Sequence, residues 1–159
     1  MLFLLFQLGK DRYALEASRV VEVVPLLELK TIPQSPKGVA GLFVYRGRPM
    51  PALDLCELTL NRPAQARLST RIIVTRCSDA TGPEQWLGLV AERATEMIRR
   101  EARDFVESGI HSRDSTPFHG PVLLDDQGVI QLLHPRKFLT ENVRELLFAP
   151  DAEASHEPH

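Results

Sequence analysis

Gly38-Val-Ala-Gly-Leu-Phe-Val-Tyr-Arg-Gly-Arg-Pro-Met-Pro-Ala-Leu-Asp-Leu55 is the stretch that decides the fold of this chain. Two apolar runs of β character, Val39 to Tyr45 and Pro49 to Leu53, flank Arg46-Gly47-Arg48. Gly47 can take a positive φ without a Cβ clash, so the pattern predicts a hairpin with a basic tip. Arg46 and Arg48 either solubilise the turn or offer a binding contact from a rigid loop. Asp54 closes the second run. Its carboxylate can accept the free N–H groups of a single helical turn, Leu55 to Leu58.

Outward from the hairpin the chain stays rich in short strands. Apolar runs fall at 2–8, 13–15, 20–24, 71–77, 86–91, 94–98, 121–124 and 129–133, separated by Gly, Pro, Asp and Asn clusters. Many short runs with frequent turn signals indicate a small barrel or sandwich. Twelve prolines argue against a fold of long helices. A short helix fits Glu16 to Glu22, with Val20, Val21 and Val24 buried. A second fits after Pro135, where Phe138, Leu139, Val143, Leu146 and Leu147 recur at helical spacing. Arg99 to Gly120 reads as a long surface connection with room for a helical turn. The reading gives one domain over 1–149 and a disordered tail over 150–159, which lacks apolar periodicity.

With 159 residues the chain can bury one proper core. Its net charge of −2 and aromatic content of 6% give neither the field nor the stacking surface that nucleic acid requires. Cys56 and Cys77 lack the close pairing of a redox or zinc motif and read as reduced core residues, which suits a cytoplasmic protein. Met1 to Phe6 lacks the basic region and cleavage site of a leader and is too short to span a bilayer, so it reads as a buried first strand. No direct membrane contact is expected.

Catalytic constellations are absent from the pattern, with no phosphate-cradling glycine loop and no nucleophile elbow. The histidines at 111, 119, 134, 156 and 159 lack metal-ligand spacing. No cofactor is expected. Glu22 is the odd residue in a valine run. It either points to solvent or pairs with a cation, because burying it unpaired is costly. Leu26, Leu27 and Leu29 lie between Pro25 and Pro33, as a lid on the core or an exposed apolar patch; one or two buried leucines and at least one available to a partner is the favoured division.

The run R-G-x-x-x-P-x-x-D-L, here Arg46, Gly47, Pro51, Asp54 and Leu55 with Gly41 before it, resembles the signature of the CheW-like family of chemosensory adaptors. Phe6 to Gly9 with Tyr13 to Leu15, Arg19 to Val24, Ile32 to Pro36, His119 to Leu124, Gly128 to Leu133 and Pro135 to Leu139 are similar to further family segments, in family order. The resemblance implies two small five-stranded SH3-like barrels sharing an apolar seam, with a C-terminal helix. It implies a non-enzymatic adaptor coupling a methyl-accepting chemoreceptor to a CheA-type histidine kinase, held at membrane arrays through those partners. Carried over, Val20, Arg46 and Gly47 face the receptor tip, while Glu22, Leu26 and Leu27 face the kinase regulatory domain. The resemblance also brings Glu22 beside the hairpin, toward Arg46. Val44-Tyr45 before the turn, Pro49 inside the second strand and the linker around Ile110 to Phe118 depart from the family pattern. They suggest a paralogue of the Wsp type, in which the array controls cyclic-di-GMP synthesis. The alternative is a small-barrel module that binds a peptide or nucleic acid outside chemosensing.

Overall fold

The computed structural model describes residues 1–77, 84–107 and 120–138. The chain begins with a hairpin, β1 (Leu2–Leu8) and β2 (Asp11–Glu16), followed by a 3₁₀ turn at Ala17–Arg19 and β3 (Val20–Pro25). The predicted hairpin follows as β4 (Val39–Tyr45) and β5 (Arg48–Asp54), leading into α1 (Leu55–Leu60). Then come β6 (Arg71–Cys77), β7 (Gln85–Arg99), β8 (Val122–Asp125) and β9 (Gly128–Leu133).

These strands form two five-stranded units that share β7. The first runs β3-β6-β7-β5-β4 and the second β7-β1-β2-β9-β8. Each curls on itself through an isolated bridge. Lys30, beyond β3, pairs with Leu42 of β4, and Val106, beyond β7, pairs with Val122 of β8. Curling of this kind covers edges that would otherwise recruit other strands. Gly41 permits the first bridge. Its φ is 142°, and a Cβ there would lie 2.4 Å from the Lys30 carbonyl oxygen.

Two expectations about local structure are corrected. Glu16 to Glu22 is not a helix: only Ala17–Arg19 makes a 3₁₀ turn, and the β-branched run that follows is strand. The runs at 86–91 and 94–98 are one continuous strand, β7. Its polar interruption at Glu92-Arg93 is a bulge. Two steps along β1, from Leu5 to Gln7, match four along β7, from Glu96 to Glu92. Pro135–Phe138 forms a 3₁₀ turn with Phe138 buried; the rest of the expected C-terminal helix, and the tail, lie outside the described residues.

Strand alternation sorts the apolar side chains into three cores. Val24, Phe43, Tyr45, Met50, Ala52, Ile72, Val74 and Val90 fill the first barrel. Phe3, Leu5, Ala14, Leu123, Ile130 and Leu132 fill the second. Between them lies the expected seam, where Leu4, Phe6 and Leu8 of β1 meet Ile73 and Cys77 of β6 and Leu87 and Leu89 of β7. Both cysteines are buried and unbridged.

Candidate functional site

The basic tip is a two-residue turn closed by the pair Tyr45–Arg48. Arg46 and Gly47 both have positive φ, 48° and 78°. That is the geometry of a type I′ turn, whose twist matches that of the strands it joins. In the ladder Val44 faces Pro49 and Leu42 faces Pro51. Counting from the closing pair, these are non-hydrogen-bonded positions, so neither proline removes a bond to β4. Pro49 blunts the stretch of β5 that has not yet met β7, which it joins only over Ala52–Asp54.

Glu22 projects from β3 toward this tip, and a bulge in β3 between Val20 and Glu22 sets its direction. Its carboxylate accepts hydrogen bonds from the Tyr45 hydroxyl and from Arg46 Nη2, the latter at 3.4 Å. The Arg46 guanidinium carbon also lies 5.0 Å from the centre of the Tyr45 ring. Both charged side chains remain exposed, so their pairing orients Arg46 more than it stabilises the fold. Burial, then the bond to Glu22, pushes the Tyr45 phenol up, so it stays a donor.

The other predicted residues lie on the same barrel. Val20 is half-buried against the seam. Leu26 and Leu29 pack on the first barrel's core while Leu27 is exposed. Leu26, Leu29, Val39, Ala40 and Val90 line an open cleft of about 280 Å³ whose polar side is Asp54 and Glu57. Asp54 caps α1 as predicted. It accepts from the N–H groups of Cys56 at 2.9 Å and Glu57 at 3.3 Å, and also from Ala64 at 2.9 Å.

Tyr45 and Glu92 are not among the site residues expected from the sequence. Glu92 sits where β7 leaves one barrel for the other. It accepts from Gly9 N at 3.2 Å, Arg62 Nη1 at 3.0 Å and Gln65 N at 2.8 Å, clasping the β1–β2 turn to the segment after α1. Burial pushes its carboxyl up, but Arg62 and the two backbone N–H groups outweigh that and hold it at about 2. Glu92 stands beside Arg93 in the break between two apolar runs, so its sequence signal is weaker than that of Glu22 inside a run of valines. Among the described residues, no group of three His, Cys, Asp or Glu side chains could hold a metal ion. No helix among them is long and apolar enough to cross a membrane.

Fold and site together define a class: a double-barrel β protein whose exposed charged tip is braced by its own side chains. A CheW-like domain model matches residues 2–143, and the chain belongs to that family. It is 28% identical over 102 residues to the chemotaxis protein CheW of Helicobacter pylori (strain ATCC 700392 / 26695). That match spans 64% of this chain and 59% of the relative's length. The crystal structure of the scaffolding protein TtCheW from Thermoanaerobacter tengcongensis has the same fold, with a TM-score of 0.77 over 92% of both chains at 22% identity.

Proposed function

We propose that this chain is a non-enzymatic adaptor that couples a methyl-accepting chemoreceptor to a CheA-type histidine kinase. The observation that carries the reading is the family match over residues 2–143, supported by Arg46, the arginine of the R-G-x-x-x-P-x-x-D-L resemblance, held outward at a braced hairpin tip. Arg46, Gly47 and Val20 are proposed to meet the receptor, and Glu22, Leu26 and Leu27 the kinase regulatory domain. Glu22 and Arg46 touch, so the two contact sets adjoin and one partner's binding can bias the other's. The protein would work in the cytoplasm, carried to membrane arrays by its partners.

The test is co-sedimentation of the chain with a receptor cytoplasmic fragment and a kinase regulatory domain. Capture of both partners, weakened by Arg46→Asn, is the expected result. Failure to capture either partner would refute the adaptor reading. In that case a labelled peptide library and a nucleic-acid gel shift would examine the small-barrel alternative.

A further inference from the structure

The bulge in β7 has a second consequence. Arg93 adopts a left-handed conformation, φ 50°, that non-glycine residues seldom hold. Strained backbone positions and bulges of this kind cluster at binding sites, where they aim a group the regular strand would not. Arg93 borders an open cleft of about 290 Å³ formed where the loop before β6 overlooks β1 and β7. The cleft brings together Arg67 and Ser69 from that loop and Arg93, Thr95 and Glu96 from β7. A bond from Ala94 N to the Ser69 carbonyl, 3.2 Å, ties the loop to the strand. Among the described residues neither Arg67 nor Arg93 lies in an ion pair. Leu68, between Arg67 and Ser69, is 99% exposed.

We propose that this cleft docks a carboxylate-bearing segment of a protein partner, with Arg67 and Arg93 receiving the carboxylate and Leu68 packing on its apolar flank. Two guanidinium groups and Glu96 leave one net positive charge in the lining. That complements a single carboxylate better than a phosphate dianion. Arginine's planar fork suits a carboxylate held by two bonds. The surrounding chain is net acidic, so this local excess of positive charge is not a general property of the surface. The inference rests on the adaptor reading for the partner's being a chemoreceptor, and adds the chemistry by which one is recognised.

The experiment titrates the full chain against a chemoreceptor cytoplasmic fragment at low and high salt. Arg67→Gln, Arg93→Gly and the double substitution are compared with Arg76→Ala, a surface control on β6. Glycine suits the backbone at position 93, so thermal melts should show Arg93→Gly folding normally. Each single substitution is expected to weaken binding by about threefold to tenfold, and the double to flatten its salt dependence, while Arg76→Ala changes neither. Wild-type binding that is unaffected by the cleft substitutions would overturn the carboxylate site and leave the adaptor reading standing. No binding by the wild type would overturn both.

Discussion

Arg46 holds a backbone conformation that asparagine or glycine adopts more readily, since type I′ turns favour Asn-Gly. What it gains in exchange is a guanidinium aimed by Glu22 and Tyr45. Arg46→Asn should therefore separate stability from binding. The exposed pair with Glu22 contributes little to the fold, so the variant's melting temperature should match or exceed that of the parent. A fall of several degrees would mean that the turn depends on the pair. Cys56 makes a second residue-scale case. Burial, reinforced by the carboxylates of Glu92 and Asp54, pushes its thiol up to about 12. Burial pushes Cys77 up as well. Neither should react with a thiol reagent at pH 8 in the native state, and both should react on unfolding. Prompt native-state labelling of either would contradict the buried placement.

The hairpin and the α1 cap were legible in the sequence because their signals are local. A glycine in a basic turn specifies a positive φ, and Asp54 precedes the turn it caps by one residue. Asp54 also accepts from Ala64, so its loss should exceed that of an ordinary cap. Asp54→Ala is expected to lower stability by about 2 kcal/mol, read from the denaturant midpoint, with Asp54→Asn lower by less. Equal, negligible effects would show that the carboxylate's three bonds are dispensable. β7 was not legible as one strand, because Glu92 and Arg93 interrupt its apolar pattern and only partners distant in sequence reveal the interruption as a bulge. Gly88 falls inside the run read at 86–91, but the reason for a glycine there is tertiary: a Cβ would come within 2.6 Å of the Phe43 ring and 2.9 Å of Ile72. Arg67 and Arg93 were invisible as a pair because only tertiary structure brings their loop and strand to one cleft.

At the scale of the whole molecule, two barrels share β7 and are further joined by an apolar seam and by the Glu92 carboxylate. The seam is non-directional, whereas Glu92 fixes three segments at defined distances. Under the proposed function two partners are engaged at once, which calls for barrels in a constant relation and gives this clasp a role beyond stability. Its acid response follows from its pKa. The folded value of about 2 lies below the ordinary 4.5, so Glu92's contribution is complete above 4.5 and is lost as pH falls toward 2. Asp125, held by Arg12 to about 2 from an ordinary 3.8, acts in the same direction within the second barrel. Wild-type stability should therefore decline between about pH 4.5 and pH 2. Glu92→Gln keeps the shape of the side chain but removes the titrating charge. At pH 7 it should lower stability by about 2 kcal/mol, the scale of hydrogen bonds to a charged group. Toward pH 2 the two proteins should converge, because the wild-type carboxylate is then protonated as well. Denaturant titrations across that range provide the measurement. Parallel curves, with a constant gap from pH 7 to pH 2, would mean that Glu92 stabilises by packing alone and that its charge does not clasp the barrels.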